Sequence, residues 1–568
     1  MEPAPSFTRK WLPLLALLAV CGCSFFVHLG ALEVGLMEAR NFVAAREIAA
    51  GGSWLLPTMN GELRLAKPPL PTWAVAAVMR LAGGTQDPAL LRLPAAGMAT
   101  LLVFFFWGLS SELTTTTADA ALRPRRTPWL AALVLGSSLL TITVGREGHW
   151  DIFSTSFAVG SLWLLARAWN RPAPAYASFA GAGLLLGCTI LSKGPVSLYA
   201  VVLPFGVAYA SPWQPGGPAR LRRHWRGALL ALGVALLTGG AWPAYVWLHV
   251  PAAAAAIAHT EVTSWADRHV EPIWYYFNFA VFAGVWALVA LAALAVPYAR
   301  HRAARFVPYG FALTWLLASL VLLSVVPEKK ERYMLPLLPP LVLLVTGLLR
   351  HWEQEFAAQR TAPAPSDRWL LRGWAGILLL ACVALPILVG AGRLPGYELT
   401  APVFGLTALV FAALAGLAAW AGWRLRPTLL ITVSVLSMSA LLVLVMPAYA
   451  ALLNRRTEAG LRRVAQVRSS LTWQHRPWLA LDELHIEQVW AAGRPVPTWL
   501  APADSLPDLP AVVVAATPLP KRLPAAWRGR VRVASVDSFY LGRKREDGQF
   551  FIGKLVPAAA QGSTRPAF

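Results

Sequence analysis

Charge is scarce in this sequence. Of 568 residues only 14% are Asp, Glu, Lys or Arg, where a soluble domain carries roughly 25%. A soluble chain of this length would divide into about three or four domains with polar surfaces, and there is too little charge to cover them. Disorder is excluded as well, because it requires low hydrophobicity and 57% of this chain is hydrophobic. Acids are the scarcer sign: 28 Asp and Glu stand against 50 Lys and Arg, for a net charge of +22. On a soluble protein such an excess would suggest nucleic acid; on a membrane protein it first suggests cytoplasmic loops. The four cysteines, Cys21, Cys23, Cys188 and Cys382, all lie in apolar runs. They form neither a disulfide framework nor a zinc pattern and read as buried thiols.

What is there is apolar length. Stretches of about 20 apolar residues, enough to cross a bilayer, can be drawn at 11–32, 92–110, 128–145, 151–168, 175–191, 195–211, 227–249, 275–297, 306–326, 333–349, 369–390, 401–423 and 427–447. The reading is therefore an all-α polytopic membrane protein with about 13 transmembrane helices. The first run, behind Phe7-Thr-Arg-Lys10, is too long for a signal-peptide core and reads as an uncleaved span. The segment 69–83 is apolar but short, and reads as an interfacial helix. With the N-terminus inside, the inside loops hold Arg123/Arg125/Arg126, Arg167/Arg171, Arg220/Arg222/Arg223/Arg226, Arg300/Arg302/Arg305, Arg350/Arg360/Arg368 and Arg424/Arg426. That is the positive-inside signature, and an odd span count then leaves the C-terminus outside. Residues 1–450 read as the membrane domain, with a long outside loop at 33–91. Residues 451–568 read as a small α/β domain, with strands near 511–515 and 531–535 and a hairpin turn at Glu546-Asp-Gly548.

Several outside segments carry charge at span ends. They include Glu33, Glu38, Arg40, Arg46, Arg64 and Lys67 in the first loop, Arg146-Glu-Gly-His-Trp-Asp151, Lys193, Asp267-Arg-His-Val-Glu271 and Glu328-Lys-Lys-Glu-Arg-Tyr333. Ionisable groups at membrane depth are costly and usually functional or paired. Interfacial Arg and Lys also snorkel to headgroups, the reading slightly favoured here for Arg46, Arg64 and Arg146. Carboxylates gain nothing from headgroups, so acids and bases gathered at one face suggest a site that joins a carboxylate to an anion hole. The simplest anion is a phosphate.

The first loop is also where a resemblance appears. Gly35-Leu-Met-Glu-Ala-Arg-Asn41, Gly52-Ser-Trp-Leu-Leu-Pro-Thr-Met-Asn-Gly-Glu62 and Ala66-Lys-Pro-Pro-Leu-Pro-Thr-Trp73 resemble the opening of the bacterial aminoarabinose-to-lipid A transferases. These are relatives of the protein O-mannosyltransferases in the GT-C class. Arg146-Glu-Gly-His-Trp-Asp151, Leu191-Ser-Lys-Gly-Pro195, Pro272-Ile-Trp-Tyr-Tyr-Phe277 and Arg332-Tyr-Met-Leu-Pro336 follow in the family's order. The resemblance implies thirteen spans, interfacial helices in the first loop, a periplasmic C-terminal domain, and inverting transfer of a sugar from a polyprenyl-phosphate donor. Two acids of the family pattern are missing, since Met37 and Ala66 stand in their places.

Displacement at an anomeric carbon needs a base on the acceptor hydroxyl and stabilisation of the departing phosphate. Glu38 or Asp151 is the candidate base. By family position Lys67 and Tyr333 would hold the donor phosphate, with Lys193, Lys330 and Arg332 assisting, and Arg40 and Arg268 as further candidates. Competing structural roles are an N-terminal helix cap for Asp151 and Glu38, an aromatic-belt anchor for Tyr333 and snorkelling for Arg332. The expected partners are the polyprenyl-phosphate sugar, a lipid or protein acceptor and membrane lipids of a bacterial inner membrane, with no nucleic acid. A divalent cation stays open, without a clear ligand set. The rival class is a secondary transporter or lipid-linked sugar flippase. A nucleotide-sugar transferase would want a cytoplasmic nucleotide domain, and no loop is long enough for one.

Overall fold

The computed structural model describes residues 7–558 apart from 118, 120–124, 268, 359–362, 391–400, 455–467, 469–474, 500–504, 516 and 541–548. It is an all-α membrane body followed by a small α/β region. The expected thirteen spans are not found. Among the described residues eight helices are long and apolar enough to cross a membrane, or nine if the pair Arg126–Gly136 and Leu139–Gly145, bent by 60°, counts as one broken span.

The other four expected spans fall short for local reasons. The first run is helical only over Phe7–Cys21 and then loosens into a π turn over Gly22–Phe26. The run at 195–211 is a π turn, Leu198–Val202, joined to the short helix Leu203–Ala210. The run at 306–326 gives only Tyr309–Val325. The helix Trp150–Trp169 has the length, but Asp151, Ser154, Thr155, Ser156 and Ser161 are buried along it and keep it from the apolar set. A hydropathy window averages over breaks and polar faces of this kind. With the count corrected, parity no longer orients the chain.

Lipid tails are as apolar as leucine, so membrane helices associate through close packing of small residues rather than by exclusion from water. The helices Tyr176–Lys193 and Trp225–His249 are one such pair. Gly183 and Gly187, four apart on one face, lie directly against Ala231 and Thr238, and Gly239 lies against Ile190. A side chain at any of the three would strike the partner helix. This contact fixes the end of the first helix, and Lys193 is its last residue.

The first loop holds the helix Leu36–Ala49, a minimal hairpin of β1 (Thr58–Met59) and β2 (Glu62–Leu63), and the short apolar helix Leu70–Leu81. The tail forms a four-stranded sheet from β3 (Trp478–Ala480), β4 (Ala511–Ala515), β5 (Val531–Tyr540) and β6 (Gln549–Pro557), in the order β3-β4-β6-β5. β3 and β4 run parallel; the other pairs are antiparallel. Both expected strands lie in this sheet, while the turn at Glu546-Asp-Gly548 lies outside the described residues. The tail docks on the first loop. Asn60 exchanges two hydrogen bonds with the backbone of Val496, at 2.9 and 2.7 Å, and Phe42 packs on Trp490 at 5.4 Å between ring centroids.

Replacing Gly187 by Leu is expected to drive the two packed helices apart and to lower the melting temperature of the detergent-solubilised protein. Gly206→Leu, at a site with open space around it, should leave it unchanged. Equal melting of the two variants would refute the close-packing account.

Candidate active site

Two carboxylates organise one end of the membrane body, and their surroundings are opposite in kind. Glu38 sits in the first turn of Leu36–Ala49, buried at 5% exposure. Arg92, itself 2% exposed, grips it with two bonds of 2.7 Å, Nε to Oε1 and Nη2 to Oε2. The backbone N–H of Gly148 donates to Oε1 at 2.7 Å and that of Gly35 to Oε2 at 3.3 Å. The cap role is therefore part of what Glu38 does, but most of its bonding reaches across the fold. Arg92 also donates to the carbonyls of Leu29, Leu32 and Glu33, so its remaining N–H groups hold the chain leaving the first helix.

Gly148 is clamped from both sides. Its N–H goes to Glu38 and its carbonyl accepts from Asn41 Nδ2 at 2.7 Å, while Asn41 Oδ1 accepts from Thr72 Oγ1 at 2.7 Å. The ring of Phe42 fills the space a Cβ at 148 would need. Arg146, at the other end of this tight loop, is buried and donates to the carbonyls of Ser24, Val27 and His28. Arg46 is buried too, and Arg64 lies over the Trp150 ring at 5.9 Å. For all three the headgroup reading gives way to bonding or packing within the protein.

The second carboxylate, Asp151, follows three residues after Gly148, in the first turn of Trp150–Trp169. It is 6% exposed, and its ion-pair partners are cationic or can become so. Lys193 donates to Oδ1. Arg332 Nε and His149 Nδ1 each lie 3.2 Å from Oδ2. The far nitrogen of His149 meets the exposed Glu147. Burial works against the imidazolium, but the bonds to Asp151 and Glu147 outweigh it and lift His149 to about 9.

Tyr333 closes the cluster. Its ring has the Lys193 ammonium 4.0 Å above it, Lys330 at 5.7 Å and the Arg332 guanidinium at 5.5 Å. Lys67 is near enough for its charge to act on Lys193. Lys330 pairs with Glu328. Beneath it, Lys329 is buried and bonds to the carbonyls of Glu271 and Val326 at 2.9 Å each, tying the strap before Tyr275 to the turn before Glu331. The expected residues Asp151, Lys193, Arg332, Tyr333, Lys330 and Lys67 thus come together. Glu38 stands behind them, one backbone clamp away. Arg40 Nη1 lies 3.9 Å from the Met37 sulfur, and Arg268 lies outside the described residues. Among the described residues no three His, Cys, Asp or Glu side chains are grouped as metal ligands.

Sequence reasoning missed Arg92 and gave His149 no role. Arg92 opened an expected span, where an arginine opposite a loop acid was a usable signal. For His149 the signal was the spacing Glu147-Gly-His149-Trp-Asp151, which places an imidazole between two acids.

The fold is that of a polytopic membrane protein, and two stretches of the chain are similar to membrane glycosyltransferase families. Residues 66–242 match the family described as dolichyl-phosphate-mannose-protein mannosyltransferase, and residues 269–400 match the Alg9-like mannosyltransferase family. Among characterised relatives, the undecaprenyl phosphate-alpha-4-amino-4-deoxy-L-arabinose arabinosyl transferase of Shewanella sediminis is 26% identical over 66% of this chain and 67% of its own length. A Sodalis glossinidius protein of the same description is 28% identical over 68% of this chain and 66% of its own. The fold is similar to that of ArnT from Cupriavidus metallidurans, solved bound to undecaprenyl phosphate. The TM-score is 0.68 at 18% identity, and the match covers 98% of this chain and 100% of that one.

Two outcomes follow. Arg92→Met leaves a buried carboxylate without its partner and is expected to destabilise the protein by about 3–5 kcal/mol. Adding Glu38→Leu should restore part of that loss in a thermal or denaturant melt, and a double variant no more stable than the single one would contradict the pairing. The second outcome concerns pH. Because the His149 pKa is raised on folding, its contribution is fully present below the unfolded value near 6.5 and is lost as pH rises through about 9. The melting temperature should fall over that window in the native protein, and the slope should flatten in His149→Gln.

Proposed function

We propose that this protein transfers a sugar from a polyprenyl-phosphate carrier to an acceptor hydroxyl or phosphate at the extracytoplasmic face of the bacterial inner membrane, with inversion at the anomeric carbon. The observation that carries the reading is Asp151, buried and held by Lys193 and Arg332 beside the Tyr333 ring. A lone carboxylate among cations is a poor base as it stands. A donor phosphate arriving at the same cations competes for them. Lys193, Arg332 and Lys67 turn to the phosphate oxygens, the carboxylate loses part of its counter-charge, and its affinity for a proton rises. Binding of the donor thereby prepares the base. As the glycosidic bond breaks, the same cations take up the negative charge that develops on the leaving phosphate, while Asp151 accepts the proton of the acceptor. His149, charged and tethered to Glu147, keeps the carboxylate oriented. Glu38, saturated by Arg92, Gly148 and Gly35, has a scaffolding role in this scheme.

Side and compartment rest on the arginine asymmetry, which puts the Asp151 end outside. The tail, 451–568, is then a periplasmic domain seated on the first loop. The names of the relatives make undecaprenyl-phosphate 4-amino-4-deoxy-L-arabinose the first donor to try.

Purified protein in detergent, with that donor and an envelope-lipid acceptor extract, is expected to release undecaprenyl phosphate without a gradient or sealed compartment. A flippase or transporter would yield no such product. Asp151→Asn should lower the rate by about 10²-fold or more, and near-normal turnover would sink the base assignment. Lys67→Ala should weaken binding of undecaprenyl phosphate about tenfold, in line with losing one charge-assisted bond of roughly 1.5–3 kcal/mol; unchanged affinity would remove Lys67 from the site.

A further inference from the structure

A second group of cations lies where the tail meets the first loop. Arg46 projects from the helix Leu36–Ala49, two turns beyond Glu38 and roughly 12 Å along the axis from it. It is 9% exposed, and only one of its nitrogens has a partner: Nη1 donates to the carbonyl of Val489 at 3.2 Å, whereas Nε and Nη2 are buried without one. Two more arginines, both from the tail, lie at the C-terminal end of Ile486–Ala492, the helix whose Val489 carbonyl takes Arg46. Arg468 lies over Gly493 and donates to Gln86 Oε1 at 3.3 Å, with a longer contact to the Ala491 carbonyl at 3.5 Å. Arg494 donates to the carbonyl of Arg476 at 3.3 Å, and its Nε is buried and unpartnered. The charges of Arg468 and Arg494 both act on Arg46.

Three guanidinium groups gathered in an interface repel one another, and each buried N–H without an acceptor costs free energy. Their acceptors are neutral oxygens. Glu47, whose charge acts on Arg46, has its carboxylate engaged elsewhere, accepting from the Thr58 hydroxyl and from the backbone N–H groups of Asn60 and Gly61. Capping the last turn of the helix Ile486–Ala492 accounts for one N–H of Arg46 and leaves the other donors unexplained. A tetrahedral oxyanion would answer both problems, because it neutralises the repulsion and offers acceptors to guanidinium forks on several sides.

We propose that Arg46, Arg468 and Arg494 form an anion site for a phosphate group, carried by a lipid headgroup or present as free phosphate, and that its occupancy clamps the tail to the first loop. The site is separate from the cluster at Asp151 and does not rest on the transferase reading.

Hydrogen–deuterium exchange of the full-length protein in phosphate-free detergent tests it, with inorganic phosphate, short-chain phosphatidylglycerol, or sodium chloride at matched ionic strength added. Phosphate is expected to slow exchange in peptides covering 42–50 and 486–494 beyond the chloride control, and the slowing should vanish in Arg468→Gln/Arg494→Gln. Slowing by the phospholipid alone would support the site with a headgroup as its occupant. No slowing by either, or equal slowing in the double variant, overturns it. Should the double variant melt early, Arg494→Gln alone, at the half-buried rim, gives the same reading.

Discussion

The pairing of Glu38 with Arg92 is the constraint on which the outer half of the molecule depends. Two buried opposite charges remain buried only if their geometry is good and their other donors and acceptors are satisfied. Here they are, and each satisfying partner is a different piece of the fold: the cap of Leu36–Ala49 at Gly35, the chain leaving the first helix at Leu29 to Glu33, and the 146–149 loop at Gly148. The pair therefore acts as a fastener joining three segments that share no sheet and no continuous helix. Arg92 could not be exchanged for Lys without loss, since five N–H groups in a planar fork are needed to reach both carboxylate oxygens and three carbonyls together.

From that fastener the geometry of the candidate site follows in short steps. Glu38 and Asn41, three apart on one helix face, take the N–H and the carbonyl of Gly148. Gly148 fixes His149, and Trp150–Trp169 begins at the next residue, so Asp151 is aimed by backbone rather than by its own packing. Lys193 arrives independently, at the end of a helix whose position is set by glycine packing. Two rigid devices thus bring a carboxylate and an ammonium together in a buried setting, where unpaired they would be costly.

Much of this was legible in the sequence, and the failures have physical causes. The charge clusters at span ends named residues that the fold brings together, because membrane-depth charge is expensive enough to be rare. Asp151, Lys193, Arg332 and Tyr333 were all drawn from it, though they are spread over nearly two hundred residues. The span count was not legible. Hydropathy records apolar length and is blind to the π turns after Cys21 and Ser197 and to the 60° bend after Gly136. That Glu38 is fully paired was equally out of reach, since its partner is Arg92, a long-range residue that looked like the ordinary opening of a helix. The strands at 511–515 and 531–535 were readable because β-branched runs between turn residues carry a local signal.

The two acids missing from the family pattern now take on a specific meaning. Met37 and Ala66 stand beside Glu38 and Lys67, where acidic residues would have added negative charge to the outer site. Without them the acids bonded here are Asp151, held among Lys193, Arg332 and His149, and Glu147, on the far nitrogen of His149, with Lys67 close by, while Lys330 and Glu328 compensate each other. Cations outnumber acids at the centre of the cluster. An excess of this kind is unfavourable in an empty, largely buried site and favourable once a phosphate enters. On the proposed reading, the chain gives up some stability in its unliganded state for affinity toward an anion. This is the opposite arrangement from Glu38 and Arg92, whose charges are matched and whose bonds are complete. Matched charge holds the scaffold together, and unmatched charge marks where a ligand is to bind.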